Sequence, residues 1–226
     1  MNSMNNNARS FTLRDCTLVA IATGRRAQNL RELRDGLGVV HQDSIYYHFW
    51  GGLLNPRFDD PDFNNDFAAW VGGGLHEPRL AERLGVIDPT EHHDLEELRQ
   101  ELIEAIEDRL DESDYVPWAK ADQKFHFIRS KIVVFDTQHN IKKPWMLVQA
   151  ADSMSLSSVF YHFIDARRRT PDRIDDFSTW LFGFGEKYAD LREQIITIDP
   201  FFVTLAELRE KLRSLFIDYF GNGHDK

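Results

Sequence analysis

Apolar residues recur along much of the chain at the three-and-four spacing of helices that bury one face. Leu30, Leu33 and Leu37 form one such stripe, which stops near Gly36 or Gly38. Asp43 or Ser44 can cap a second helix running through Tyr46-Tyr47-His48-Phe49-Trp50. Asn64 or Asn65 can cap a third, bearing Phe67, Trp70 and Val71 and stopped by Gly72-Gly73-Gly74. Leu80 and Leu84 mark a short helix. Leu95, Leu98, Leu102, Ile106 and Leu110 predict a long one over 94–111, and Leu205, Leu208, Leu212 and Phe216 predict another over 204–219. Two segments carry mixed signals. Thr12 and Asp15 resemble a capping box, with Leu13, Cys16, Val19 and Ala20 near helical spacing. The run FHFIRSKIVVFDT from Phe125 is rich in β-branched residues and fits a strand. For Phe11–Thr23 and Phe125–Thr137, helix and strand both stay open.

The chain also matches itself. Moving from 44 to 158, a shift of 114, SIYYHF meets SVFYHF. The same shift pairs Phe11 with Phe125, Val19 with Val133, Thr23 with Thr137 and Leu33 with Leu147. A shift of 110, as from 66 to 176, pairs Asp66 with Asp176, Phe67 with Phe177 and Trp70 with Trp180. Ile87-Asp88-Pro89 meets Ile198-Asp199-Pro200, and Leu98-Arg99 meets Leu208-Arg209. Matches in this order read as a duplication. The expected fold is therefore mainly α: two tandem homologous helical repeats with pseudo-twofold symmetry, with room for a short strand near the start of each. The repeats would be 11–114 and 123–222, joined by a linker at 115–122, with residues 1–10 a disordered N-terminus. Phe67, Trp70, Phe177 and Trp180 are expected in the core.

Composition narrows the function classes. The 226 residues are 42% hydrophobic and 12% aromatic, enough for a buried core. Lys plus Arg number 27 against 37 Asp plus Glu, a net charge of −10, which opposes binding to nucleic acid. One cysteine, Cys16, leaves no internal disulfide and no multi-cysteine metal cluster. No apolar run approaches a membrane span, and MNSMNNNARS has no apolar stretch of signal-peptide type. The expectation is a cytoplasmic protein with no nucleic acid and no membrane among its partners.

The sharpest chemical feature is the matched histidine. His48 follows Ser44 by four residues, and His162 follows Ser158 by four, so each pair shares a helix face. Ser44, His48 and His162 are the catalytic candidates, as a Ser–His dyad or an acid–base histidine. The competing and favoured reading is a buried, hydrogen-bonded histidine with a serine in the helix's first turn. Asp59, Asp60, Asp62 and Asp66, and His92-His93 with Asp88 and Glu91, lack metal-ligand spacing, so no metal and no cofactor is expected. Arg167, Arg168, Arg169 and Arg173 form the one basic cluster and are candidates for binding an anionic ligand.

The run SIYYHFWGGLLNPRFDDPDFNNDFAAW, then LAERLGVIDP and DLEELRQELIEAIE, resembles a bacterial family known only as domain of unknown function 5752. So does the segment Ala22-Thr23-Gly24 followed by Ala27, Asn29-Leu30 and Glu32-Leu33. The resemblance covers nearly the whole chain and implies no catalytic residues. The function expected is that of an accessory or regulatory module binding a protein partner or a small anionic ligand. The alternative is a hydrolase using His48 with Ser44 or nearby carboxylates.

Overall fold

The computed structural model describes residues 10–54, 62–112, 119–170, 172–201 and 203–221. The elements follow as β1 (Phe11–Ala27), α1 (Leu30–Leu37), α2 (Gln42–Trp50), α3 (Asp66–Gly73), α4 (Pro78–Gly85), α5 (Leu95–Asp111), β2 (Phe125–Ile141) and α6 (Leu147–Ser153). Then come α7 (Leu156–Val159), a π-helical segment (Phe160–Asp165) and α8 (Ala166–Arg169), followed by α9 (Asp176–Phe182), α10 (Ala189–Ile196) and α11 (Leu205–Gly221).

Each predicted leucine stripe is a helix. Asn29 caps α1, Asn65 caps α3 and Asp94 caps α5, each side chain accepting a main-chain N–H of the first turn. The cap of α2 is His41 rather than Asp43 or Ser44, and the helix begins at Gln42. Gly36 lies inside α1, and a Cβ there would meet the Phe127 ring at 2.4 Å, so helix and strand approach only through glycine.

The expectation of a mainly α fold in tandem helical repeats is not met. Helices hold 58% of the described residues, but β1 and β2 are long, central strands of 17 residues each, paired in one antiparallel sheet. Thr12 and Asp15 cap no helix: they lie in β1. The chain also does not divide at the middle of its sequence. One compact unit comprises Met1–Thr17 with Val133–Lys226, the other Leu18–Ile132. Each long strand therefore serves both units. The unit holding α1 to α5 contains 125–132 of β2, and the unit holding α6 to α11 contains 11–17 of β1. The physical reason is that β-pairing joins residues distant in sequence, which helical periodicity does not report.

Strand matches survive in backbone detail. Thr23 Oγ1 donates to the Phe127 carbonyl and Thr137 Oγ1 to the Leu13 carbonyl, each at 2.6 Å. Gly24 and Gln138 follow these threonines, and both hold positive φ, 76° and 62°. The matched arginines serve helix ends. Arg99 donates to the carbonyl of Leu37, the last residue of α1, and Arg209 to that of Met154, just after α6, at 3.1 Å. Phe67 and Phe177 are fully buried, but Trp70 and Trp180 are only half-buried. The residues assigned to the disordered N-terminus, apart from Ser10, and the first half of the linker, 115–118, lie outside the described residues, as do Asp59 and Asp60.

Candidate functional site

Ser44 and His48 stand one turn apart on α2 and face a single residue of β2. The Ile128 N–H donates to His48 Nε2 at 3.1 Å, and the Ile128 carbonyl accepts from Ser44 Oγ at 2.8 Å. His48 Nδ1 lies 2.9 Å from Asp66 Oδ2, on the first turn of α3. A nitrogen that accepts a main-chain N–H carries no proton, so the neutral ring has its proton on Nδ1 and donates it to the carboxylate. The ring is buried against Phe67 and Phe125, with centroids at 5.1 and 4.7 Å.

His162 is held the same way. The Arg14 N–H donates to Nε2 at 2.8 Å, and Nδ1 lies 2.8 Å from Asp176 Oδ2 on α9. Phe11 and Phe177 enclose this ring at 4.9 and 5.7 Å. Arg14 and Ile128 occupy matched sequence positions, as do Asp66 and Asp176. Each unit thus holds a strand residue with an imidazole that is oriented by an aspartate.

The Ser–His dyad does not form in this geometry. Ser44 bonds a carbonyl rather than His48, and both ring nitrogens of His48 and of His162 are occupied. Ser158 accepts from Ser155 Oγ at 3.1 Å. A general base needs an open acceptor nitrogen within reach of the proton it removes, and neither ring offers one here. Tyr47 does not supply an easily ionised hydroxyl either: burial, with Asp66 nearby, raises its pKa. The Cys16 thiol of β1 is buried and pushed up to about 12, first by burial and then by Asp165 and Asp15. It remains a thiol at neutral pH.

The arginine run is largely tied into its own unit. Asp165, fully buried in the π-helical segment, accepts from Arg168 at 2.9 Å and from Arg169 at 2.7 Å. Arg169 also donates to Asp176 at 3.0 Å and stacks on Tyr161. Burial opposes its charge, but Asp176 and Asp165 outweigh that and raise its pKa. Arg167 lies over the Phe163 ring at 4.6 Å and donates to the Ile198 carbonyl at 3.2 Å. Arg173 is exposed, with φ of 54°.

His92 lies between the Asp88 carbonyl and Glu101, and His93 is exposed. Among the described residues, no group of three or more His, Cys, Asp or Glu side chains is placed to hold a metal ion. No helix of the described residues is long and apolar enough to cross a membrane.

Sequence reasoning paired Asp66 with Asp176 but did not assign them to the histidines. The signal was present: both acids recur with His48 and His162 in the repeat. Asp165 was missed outright, because nothing in the sequence marks a carboxylate that will be buried.

Residues 8–217 match the model of the Family of unknown function (DUF5752). The chain belongs to this family. Among solved structures, that of OrfY from Thermoproteus tenax is similar, at 26% identity and a TM-score of 0.79, covering 93% of this chain and 95% of that one. No curated protein matches. The family description and the structural neighbour name no activity, so the functional reading rests on the site itself.

Proposed function

We propose that this family member is a non-enzymatic, cytoplasmic accessory module that binds a protein partner through β2. One observation carries the reading. Val133, Val134 and Phe135 are consecutive on the strand and 41%, 37% and 50% exposed. Successive strand residues point to opposite faces. A strand with one solvated face would alternate apolar with polar, yet here both faces carry large apolar side chains. Scattered exposed apolar residues need no explanation, but a contiguous run is a common mark of a partner surface. Closure of the histidine sites adds support, because it leaves the hydrolase alternative without an open histidine nitrogen to act as base. The arginine cluster lends less to the anionic-ligand reading, since Arg168 and Arg169 are paired with Asp165 and Asp176.

The test places a photo-crosslinking side chain at Phe135, with Val39, an exposed residue of the other unit, as control. In cells of the source organism, position 135 is expected to give a discrete protein adduct that position 39 does not. No adduct at 135, or the same adducts at both positions, would overturn the proposal.

A further inference from the structure

We infer that two copies of this chain pair edge to edge through β1, antiparallel about a twofold axis at Ala20, so that two sheets of two strands become one of four. β1 has β2 as its one neighbour, so every second residue along it turns its main-chain N–H and C=O to an open edge. Near the start of the strand that edge is closed: the Arg14 N–H goes to His162, and the Cys16 N–H to the Asp15 carboxylate. From Leu18 to Ala22, no main-chain group bonds a side chain or a helix among the described residues.

The side chains leave this stretch unguarded. Leu18-Val19-Ala20-Ile21-Ala22 carries no charge and no proline, the usual devices that keep an edge from pairing. Val19 is 45% exposed, Ala20 and Ala22 are exposed, and Leu18 and Ile21 are half-buried. An apolar strand with a free row of main-chain donors and acceptors is a template for another strand.

Charge complementarity selects the occupant. Two identical antiparallel strands related by a twofold set one residue opposite itself. With Ala20 at the axis, Val19 meets Ile21 of the second copy, Leu18 meets Ala22, Thr17 meets Thr23, and Asp15 meets Arg25. Every pair is apolar with apolar, hydroxyl with hydroxyl, or acid with base, the combinations that stabilise neighbouring strands. Asp15 is half-buried and Arg25 exposed, and neither makes an ion pair among the described residues. Centring on Val19 opposes Asp15 with Thr23, and centring on Ile21 opposes it with Ala27, so the Ala20 register alone of these three joins the charges. Arg14 and Arg26 come next, but His162 closes the edge at Arg14, so the ladder ends before that pair. β2 offers no such match. The equivalent pairing about Val134 opposes Arg129 with His139, and Ile132 with Asp136. The second copy therefore seats on β1, and Val133-Val134-Phe135 takes no part in the pairing.

Sedimentation equilibrium of the full chain is expected to show a dimer. On mild oxidation with copper phenanthroline, A20C should form a disulfide-linked dimer. A22C should not, because the two copies of position 22 stand about 14 Å apart in this register, beyond disulfide reach. The native Cys16 is buried and does not compete. Each dimer holds the Asp15–Arg25 pair twice, so R25D should weaken dimerisation about tenfold, and the exchange D15R/R25D should recover most of the loss. A chain that stays monomeric at high micromolar concentration would overturn the inference. So would equal disulfide yields at positions 20 and 22, or an R25D dimer as tight as wild type.

Discussion

His162 holds the main-chain N–H of Arg14 at 2.8 Å across 148 residues of sequence. His48 does the same for Ile128 across 80. A strand in a two-stranded sheet has one neighbour, and main-chain groups pointing away from that neighbour need another partner. The two imidazoles, with Ser44, supply one within each unit.

Removing a ring should therefore cost stability. His162→Leu leaves the Arg14 N–H and the Asp176 carboxylate without the imidazole, and a loss of about 2–4 kcal/mol is expected in urea unfolding. His162→Gln, whose carbonyl can accept the same N–H, should recover part of it. Wild-type stability in the leucine variant would contradict the clamp.

The matched positive-φ positions give a pair with opposite signs. A non-glycine residue in the left-handed region costs about 1–2 kcal/mol. Gly24→Gln should therefore destabilise by about that amount. Gln138→Gly should stabilise by about 0.5–1 kcal/mol, because glycine's greater freedom in the unfolded chain offsets part of the gain. Thermal melts of both variants check this.

Asp175 gives a pH dependence. It is fully buried at the N-cap of α9, and burial raises its pKa despite hydrogen bonds from the Ser178 N–H and hydroxyl. A carboxyl with a raised folded pKa stabilises the fold while protonated, and that contribution is lost as pH rises through the carboxylate range. Asp175→Asn keeps the cap acceptor without ionising. Relative to wild type, it should gain stability as pH goes from 4 to 7. A constant difference across that range would contradict the assignment.

Cys16 should resist alkylation. With the thiol pushed up to about 12 and its Sγ buried against the Ser157 carbonyl, native protein at pH 8 should react with iodoacetamide far more slowly than unfolded protein. Comparable rates, read by mass spectrometry, would count against the packing of β1 in its unit.

Helices were legible in the sequence because each buries a continuous stripe, as Leu30, Leu33 and Leu37 do. β1 was not. It is buried at Phe11, Leu13, Cys16 and Ala27 and largely open between, because it leaves one unit and enters the other after Thr17. No single face is covered along its length, so alternation lasts only a few residues. The histidines were found by their repetition, and the reading of them as buried and hydrogen-bonded matches their geometry. Their strand partners could not be read, because a main-chain N–H looks the same at every residue. Trp70 was expected in the core, but its ring meets Phe125 at 5.6 Å while Nε1 donates outward to the Gln123 carbonyl.

The most direct test of the clamp is nitrogen NMR of uniformly labelled protein at pH 7.5. The expected result is an Nδ1–H tautomer for His48 and His162, with scalar coupling across the hydrogen bonds from the Ile128 and Arg14 amides to the two Nε2 atoms. An Nε2–H tautomer without that coupling would contradict it, and would return both rings to the list of candidate bases.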